Sequence, residues 1–386
     1  MEIQNASRAP RRVYRWLAAQ GRERKETNMR SVRILRGLGN QIRTAASITV
    51  ASVILLAALN TDAYTQQLAS SQSAEAFEFA VIGDTGYAPT QEPLVDNLLE
   101  ELNKSPLEFV VHVGDFGGPS AASCTDEHRG RRLAQFQASE QPLIYTPGDN
   151  DWTDCWEERA GSYDALERLR SLRETFFAGE QSLGRRTVPL IRQSNQVGYV
   201  AFRENVRWTH RGVTFLTLHY VTEVLGRTPE TDAEFAERNA ANLVWLRDGF
   251  LAAQSANSRG IVILTQANPF PIYAGGRGVA PEPRAGFNDF WSLLEDETIA
   301  FGKPVLLVHG DTHYFRVDYP LHSSAPECQA GTHDVRPIYC RIHNLTRVEI
   351  FGAPYHHWVQ VTIDPNDPNL FTVRPRLVEA NLPAQP

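Results

Sequence analysis

The chain has 386 residues, of which 42% are hydrophobic and 10% aromatic, so it can bury a large core. Residues 1–43 carry a net charge of +8, and because the whole chain carries −7, the remaining residues carry −15. A body this acidic argues against a surface that binds nucleic acid.

The N-terminal segment has the order of charge and hydrophobicity found in export signals. Its basic region, residues 1–43, is followed by the uncharged apolar stretch Ala45–Leu59 and by the small residue Ala63. This order predicts a cleaved signal peptide, while an uncleaved membrane anchor and an ordinary buried helix are the alternatives. The stretch is short for a bilayer span. Met29 is a second candidate start, since it would give a signal of more usual length.

From this segment we expect two parts in the chain. The first is a basic N-terminal segment over residues 1–63, with membrane contact as one outcome, and the second is a single domain over residues 64–386. The expected location is outside the cytoplasm, in the periplasm, at the cell surface or in the medium.

The body of the chain alternates strand-like apolar runs with helical patterns. Strands are predicted, in chain order, at Phe77–Gly83, Phe109–Gly114, Pro142–Thr146, Gly198–Phe202, Val213–Tyr220, Ile261–Thr265, Pro304–His309, Val348–Gly352, Trp358–Ile363 and Leu370–Val373. Helices are predicted at Leu94–Asn103, Tyr163–Phe177, Ala233–Ala253 and Phe287–Phe301. The order opens βαβαβ and closes with consecutive strands, which predicts an α/β fold: a two-sheet β-sandwich flanked by helices.

The cysteines are expected to form disulfides. There are four, Cys124, Cys155, Cys328 and Cys340, and all follow the predicted signal. An even number in an exported chain favours disulfides over free thiols. Nearness in sequence favours a bridge between the last two, which leaves the first two to pair with each other and to join two loops of the domain.

Five of the apolar runs end in carboxylate, amide or imidazole residues. The segments are Gly83-Asp84-Thr85-Gly86, His112-Val113-Gly114-Asp115, Gly148-Asp149-Asn150-Asp151, Thr265-Gln266-Ala267-Asn268-Pro269 and His309-Gly310-Asp311-Thr312-His313. Chemistry in an α/β sheet collects just outside the carboxyl ends of the strands, so these polar residues are expected to lie together. The pattern is typical of a hydrolase that holds two metal ions.

In order and identity, these segments resemble the motifs of the calcineurin-like metallophosphoesterase superfamily, over roughly residues 77–320. The resemblance implies an αββα sandwich over the domain of residues 64–386. Gly86 stands where many members have His, as it does in purple acid phosphatases. Those enzymes supply a tyrosinate three residues after the second-motif Asp, where this chain has Gly118, so an iron–tyrosinate bond is not expected.

Carried over position by position, the resemblance implies a set of metal ligands: Asp84, Asp115, Asp149, Gln266, Asp311 and His313. Asp115 takes the position of the carboxylate that bridges both ions. One ion would be held by Asp84, Asp115 and His313, and the other by Asp115, Asp149, Asp311 and the amide oxygen of Gln266 or Asn268. Oxygen-rich sites favour Mn²⁺ or Mg²⁺, one or two ions, with Ca²⁺ as an alternative, over zinc.

The implied reaction is hydrolysis of phosphomonoesters or phosphodiesters by metal-activated water. Asn150 stands where the family has a catalytic His, and an amide donates a hydrogen bond but not a proton. His112 and His309 are therefore candidates for the catalytic acid, while Asp151 is expected to brace the third segment. The alternative function is a catalytically impaired member that binds metal or a phosphorylated ligand. Replacement of lost ligands by other ligand types favours the enzyme.

Overall fold

The structure is a computed structural model that describes residues 75–221, 228–270, 287–325, 328 and 340–383. The basic segment expected over residues 1–63 lies outside these residues, so its assignment as signal or anchor stays a prediction. Among the helices described, none is long and apolar enough to cross a membrane.

The described chain contains twelve strands and five helices. The strands are β1 (Phe77–Ile82), β2 (Val110–His112), β3 (Leu143–Tyr145), β4 (Ile191–Arg192), β5 (Val206–His210), β6 (Val213–Thr217), β7 (Ile261–Leu264), β8 (Val305–His309), β9 (Arg316–Asp318), β10 (Leu345–Glu349), β11 (Trp358–Ile363) and β12 (Phe371–Arg376). The helices are α1 (Glu92–Lys104), α2 (Asp126–Gln137), α3 (Ala165–Phe176), α4 (Pro229–Ser255) and α5 (Asn288–Phe301).

The strands form two mixed sheets. The first has the order β12-β11-β1-β2-β3, in which β1, β2 and β3 run parallel and β11 and β12 pair antiparallel. The second has the order β4-β5-β6-β7-β8-β10-β9, with β6, β7, β8 and β10 parallel at its centre. Parallel strands bring their carboxyl ends to one edge of a sheet, which places the polar segments after β1, β2 and β3 side by side.

The two sheets pack face to face, with helices on both outer faces. Between the sheets, Phe79 and Val111 from the first share one apolar core with Phe215, Val262 and Val308 from the second. A second core joins the seven-stranded sheet to α4 and α5, and a third joins the five-stranded sheet to the other three helices. The fold is therefore the predicted α/β two-sheet sandwich flanked by helices.

Several local features differ from the sequence expectation, and strands β4, β5 and β9 were not predicted. Gly198–Phe202, predicted as a strand, forms turns instead, and Gly198 has a φ of 92°, which breaks an extended run. Helix α2 was not predicted, because its inner face is built from polar side chains. His128, Arg129 and Arg132 are buried there, so the segment lacks the apolar periodicity that marks a helix in sequence.

Both predicted disulfides are present. Cys124 pairs with Cys155 across 31 residues, and Cys328 pairs with Cys340 across 12 residues. Cys124 lies in the loop after β2, and Cys155 lies in the loop after β3. The longer bridge therefore ties together the two loops that carry the second and third polar segments.

The two bridges should contribute unequally to stability. Replacing Cys124 and Cys155 together by Ser should lower the free energy of unfolding by about 2–4 kcal/mol, because the reduced unfolded chain gains the entropy of a long loop. The bridge between Cys328 and Cys340 closes a shorter loop. Replacing both of these cysteines by Ser should therefore lower the free energy of unfolding by a smaller amount. Urea unfolding of the two double variants measures the difference, and an equal or larger loss in the second would contradict this assignment.

Candidate metal centre

The structure brings the five polar segments together where the two sheets meet. From the first sheet, the Asp84 backbone N–H donates to Gly114 O over 2.9 Å. From the second sheet, the Gly310 N–H donates to Gln266 O over 3.0 Å. The Asp311 N–H crosses between the sheets and donates to both carboxylate oxygens of Asp84, over 3.2 and 3.1 Å. The edge expected from the sequence is thus one contiguous site.

The backbone at this site is strained in the same way at several positions. Asp84, Asp115, Asp311 and His313 all have positive φ, of 51°, 57°, 80° and 64°. Residues other than glycine rarely adopt this left-handed region, and such residues cluster at active sites and ligand clamps. The surrounding hydrogen bonds hold these four side chains in directions that relaxed strand ends would not give.

Two glycines allow the carboxylates to approach the backbone. A Cβ atom on Gly148 would lie 2.0 Å from Asp115 Oδ1, and one on Gly310 would lie 2.1 Å from Asp84 Oδ2. Both distances are far below van der Waals contact, so no larger residue fits without displacing the carboxylate. The glycines of the third and fifth segments therefore serve the placement of Asp115 and Asp84.

Asp115 lies at the centre of the hydrogen-bond network and is 2% exposed. Its Oδ2 atom accepts from the Tyr87 hydroxyl over 2.8 Å, from Asn150 Nδ2 over 2.9 Å and from Gln266 Nε2 over 3.1 Å. Gln266 Nε2 also donates to Asp149 Oδ1 over 3.3 Å. The residue predicted to bridge two ions thus lies in the second segment and contacts the third and fourth segments as well as Tyr87, which follows the first.

The buried carboxylates raise one another's proton affinity. Burial raises the pKa of Asp84 well above its ordinary value of 3.8, and the charge of Asp311 raises it further. Burial, followed by the charges of Asp149 and Asp151, raises the pKa of Asp115 in the same way. The side chains that donate hydrogen bonds to Asp115 are neutral amides and a phenol. None of these three donors carries a positive charge that would compensate the negative charge of the Asp115 carboxylate.

His313 presents its Nε2 atom to this cluster. Its Nδ1 atom lies 2.7 Å from Ala353 O, and because a carbonyl oxygen only accepts, Nδ1 donates this hydrogen bond. Nε2 lies 3.7 Å from Asp84 Oδ1 and 3.2 Å from the Tyr87 hydroxyl. A backbone carbonyl that fixes one ring nitrogen is the arrangement usual for histidine ligands of metals.

Gln266 is fully buried, and its amide oxygen lies within the described residues without a hydrogen-bond partner. The amide nitrogen faces Asp115 and Asp149 in its place. Rotating the side-chain amide by 180° would exchange its oxygen and nitrogen atoms. The two atoms are similar in size, so the side chain would keep nearly the same shape. With a cation present, the oxygen would then point to the carboxylates, and the buried acceptor would gain a partner.

The third segment is fixed by Asp151. Its carboxylate accepts from the backbone N–H groups of Asp115, Phe116 and Gly148 over 3.0, 3.0 and 2.7 Å, and from the Tyr145 hydroxyl over 2.7 Å. The prediction that Asp151 braces this loop is confirmed. Because its oxygens are used by these donors, the residue holds the second and third segments against each other.

The fifth segment is fixed by Glu349 on β10, which is fully buried. Its Oε1 atom accepts from the Tyr314 backbone N–H over 2.9 Å and from the Thr312 hydroxyl. Asn268 adds a second tie, because its N–H donates to Asp311 Oδ2 over 3.0 Å. The Asn268 side-chain oxygen accepts from Phe270 N–H, so this amide serves the loop and Gln266 is the better candidate ligand of the two.

The two histidines considered as catalytic acids have other hydrogen-bond partners. His112 Nδ1 accepts from the Gly114 N–H over 3.2 Å, and Nε2 lies 3.2 Å from the Thr85 hydroxyl. Burial, and then Arg132, lower the pKa of His112 to about 3, so the ring is neutral and structural at pH 7. His309 is also fully buried, with Nδ1 donating to Gly310 O over 2.8 Å. The role of either histidine as the catalytic acid stays a prediction, and these hydrogen bonds argue against it.

Tyr87 is a site residue that the sequence reasoning missed. Its hydroxyl contacts Asp115, Asp84 and His313. Burial and the charge of Asp115 raise its pKa well above 10, so the phenol is protonated in the absence of a cation. The signal in the sequence was its place three residues after Asp84, in the loop after β1, where a side chain can fold back over the strand end.

The donor set fits a hard divalent cation. Within the described part of the chain, no three His, Cys, Asp or Glu side chains are already grouped as a metal site. The hydrogen bonds give the reason, since phenol and amide donors stand between the carboxylates. The converging atoms are carboxylate and phenol oxygens, two amide nitrogens and one imidazole, and carboxylate oxygens are the ligands that hard divalent cations take.

Comparison with known proteins points to one family. A family model described as calcineurin-like phosphoesterase matches residues 77–315. Among solved structures, a dimetal phosphatase from Danio rerio is 12% identical, with a TM-score of 0.49 over 78% of this chain and 96% of that chain. A purple acid phosphatase from yellow lupin (Lupinus luteus) seeds is 14% identical, with a TM-score of 0.47 over 81% of this chain and 53% of that chain. No curated protein matches the sequence.

Removing one buried charge should stabilise the metal-free protein in a pH-dependent way. The pKa of Asp84 is raised by folding, so above its ordinary value of 3.8 the unfolded chain loses the proton first, and the folded state is progressively penalised as pH rises. Asp84→Asn lacks this penalty. Its gain in unfolding free energy over the wild type should be near zero at about pH 4 and should grow towards pH 8.

Urea unfolding of metal-stripped protein across that pH range tests this expectation. Asp289→Asn, an exposed carboxylate on α5, is the matched control and should follow the wild type. A gain that is the same at low and high pH would show that Asp84 titrates normally in the folded protein.

Proposed function

Since this chain belongs to the calcineurin-like phosphoesterase family, we propose that it hydrolyses phosphate monoesters or diesters with divalent cations held by the buried carboxylate cluster. One observation carries the proposal. Asp84, Asp115 and His313 converge on the Tyr87 hydroxyl, and among the described residues the buried Gln266 amide oxygen has no hydrogen-bond partner. A cation satisfies all of these groups at once.

The residues that would hold the cations divide into two sets that share Asp115. Asp84 and His313 would complete the first set, and Asp149, Asp311 and Gln266 would complete the second. When bound, one or two ions of Mn²⁺ or Mg²⁺ activate a water molecule and neutralise charge on the phosphoryl oxygens. Ca²⁺ is the alternative ion for the same oxygen-rich set.

Asn150 is proposed to orient the substrate. Its side-chain amide donates to Asp115 Oδ2 over 2.9 Å, and its backbone N–H donates to Asp115 Oδ1 over 3.1 Å, which fixes the residue against the central carboxylate. An amide N–H in this place can hydrogen-bond a phosphoryl oxygen and favour the charge that develops in the transition state. It cannot protonate a leaving group.

No residue is assigned as the catalytic acid that protonates the leaving group, and this limits the kinds of phosphate ester that can be substrates. His112 and His309 are both held by structural hydrogen bonds, and Asn150 has no acidic proton. We therefore propose that the preferred esters have leaving groups that depart without protonation, such as aryl phosphates. The same feature favours the alternative, a protein that binds metal or a phosphorylated ligand without turning it over.

Export is part of the proposal. Two disulfides in the described residues support folding in an oxidising compartment, outside the cytoplasm. The acidic body argues against nucleic acid as a partner, and membrane contact would come from the N-terminal segment.

Turnover by the oxidised, metal-stripped protein tests the proposal. Hydrolysis of p-nitrophenyl phosphate or its bis-ester should appear on addition of Mn²⁺ or Mg²⁺, and Asp115→Asn should lower kcat by more than about 100-fold by removing the shared ligand. Asp289→Asn should retain full activity. A folded wild-type protein that turns over neither ester with Mn²⁺, Mg²⁺, Ca²⁺ or Zn²⁺ would favour the binding function instead.

The leaving group should control the rate. A general acid contributes roughly 10²–10⁴-fold, so its absence should make p-nitrophenyl phosphate react at least about 100-fold faster than an alkyl phosphate. Steady-state kcat/KM for a series of aryl and alkyl phosphates measures this dependence. Equal rates across the series would reveal an acid that the assigned residues do not include.

A further inference from the structure

Trp152 joins the third polar segment to the second sheet. The residue follows Asp151 directly, and its indole side chain is fully buried. Indole Nε1 donates to His219 Nε2 over 3.1 Å, and the two rings meet edge-on with centroids 5.6 Å apart. The third segment follows β3 in the first sheet, whereas His219 follows β6 in the second. This hydrogen bond therefore crosses between the two sheets.

The hydrogen bond of Trp152 distinguishes it from the other buried tryptophans. Trp208, Trp245 and Trp358 are buried as well, yet among the described residues their indole N–H groups have no hydrogen-bond partner. A partner for the N–H group fixes how the indole ring is turned, in addition to where it packs. The orientation of the Trp152 ring is thus set by His219.

The two ring nitrogens of His219 have different partners. An indole N–H only donates, so Nε2 accepts from Trp152 and carries no proton. Nδ1 carries the proton and donates to Glu204 Oε1 over 2.8 Å. Burial lowers the pKa of His219, which keeps the ring in this neutral form at pH 7.

Glu204 is held in turn by Arg173 on α3. Arg173 Nε donates to Glu204 Oε2 over 3.0 Å, and Nη2 donates to Oε1 over 2.5 Å. Burial by itself would raise the pKa of Glu204, but the charge of Arg173 and the hydrogen bond from His219 lower it below the ordinary value of 4.5. An ionised carboxylate thus anchors Nδ1 of His219, and a chain of hydrogen bonds runs from α3 to Trp152.

The backbone of His219 is also fixed, by three fully buried side chains. Its N–H donates to Asn205 Oδ1 over 2.9 Å. Its carbonyl oxygen accepts from Arg238 Nη1 over 3.0 Å and from Asn242 Nδ2 over 2.9 Å, both on α4. His219 is therefore a rigid point of the second sheet, and Trp152 is attached to it.

At its other end, Trp152 is linked to the proposed metal centre. The backbone N–H groups of Trp152 and Asp154 both donate to Asp149 O, over 3.2 and 3.1 Å. Between them in the loop, the Asn150 N–H donates to Asp115 Oδ1 over 3.1 Å. A Trp152 ring that turned away from His219 would shift this backbone, and with it the proposed ligand Asp149 and the substrate-orienting Asn150.

We propose that His219 is a positioning residue of the metal centre: through Nε2 it holds the Trp152 indole, and the indole sets the places of Asp149 and Asn150. His219 contacts neither cation nor substrate. Its Nδ1 atom serves only to anchor the ring to Glu204. The proposal rests on the metal site of the proposed function.

Two substitutions of His219 separate the roles of its ring nitrogens. The amide of Asn reaches the place of Nδ1, so His219→Asn can still donate to Glu204 but loses the acceptor for Trp152. The amide of Gln reaches the place of Nε2, so His219→Gln can still accept from Trp152 but loses the bond to Glu204. Each variant leaves one buried group without its partner, so both should lower the free energy of unfolding in urea by similar amounts.

Mn²⁺ binding and deuterium exchange then test the proposal without reference to turnover, in the oxidised, metal-stripped full chain. By calorimetry, His219→Gln should bind Mn²⁺ within about 3-fold of the wild type, and His219→Asn about 10- to 100-fold more weakly. Before metal is added, peptides that cover residues 149–154 should exchange faster in His219→Asn than in His219→Gln. Trp245→Phe, which removes a buried indole whose N–H has no partner among the described residues, should match the wild type in both measurements.

The outcomes separate this proposal from the one on which it rests. Equal Mn²⁺ affinity in the two His219 variants, or weaker binding in His219→Gln, overturns the positioning role and leaves the metal site standing. If neither His219 variant folds, Trp152→Phe decides, and the role is overturned if that variant matches Trp245→Phe in both measurements. A folded wild-type protein that binds no Mn²⁺ overturns the metal site itself, while deuterium exchange still shows whether His219 holds the third segment in place.

Discussion

The architecture depends on the burial of like charges at one point between two sheets. Asp84 and Asp115 are almost inaccessible to solvent, and burial followed by neighbouring carboxylates, Asp311 for the first and Asp149 for the second, raises the pKa of each. Each pKa unit of such a shift costs about 1.4 kcal/mol when the group is ionised. Ionised carboxylates in this arrangement destabilise the metal-free fold. A bound cation would compensate their charge and offset that cost.

Much of the surrounding structure holds these charges in place. Left-handed backbone at four site residues, close contacts at Gly148 and Gly310, and the carboxylates of Asp151 and Glu349 fix the loops after the strands. The Cys124–Cys155 bridge joins two of these loops from outside the cluster. The site is therefore rigid before any ligand arrives, which limits the entropy lost on binding.

The strands that carry the site could be predicted from the sequence better than the side-chain contacts within it. Apolar runs such as Phe77–Gly83 and Pro304–His309 show their length and their polar ends directly, so these strands and the meeting of Asp84 with Asp311 could be predicted. Helix α2 was not predicted from the sequence because its inner face is made of paired polar residues. The contacts of Tyr87 and the orientation of the Gln266 amide were not predicted. Both depend on how side chains fold back over the strand ends, and the periodicity of the sequence carries no information about this.

The central claim is that the carboxylate cluster binds a cation, and anomalous diffraction from crystals grown with Mn²⁺ tests it most directly. We expect an anomalous peak at the manganese edge in contact with Asp84, Asp115 and His313. An ordered cluster with no peak at saturating Mn²⁺, its hydrogen bonds unchanged, would contradict cation binding and would leave protonation as the means by which the buried carboxylates are neutralised.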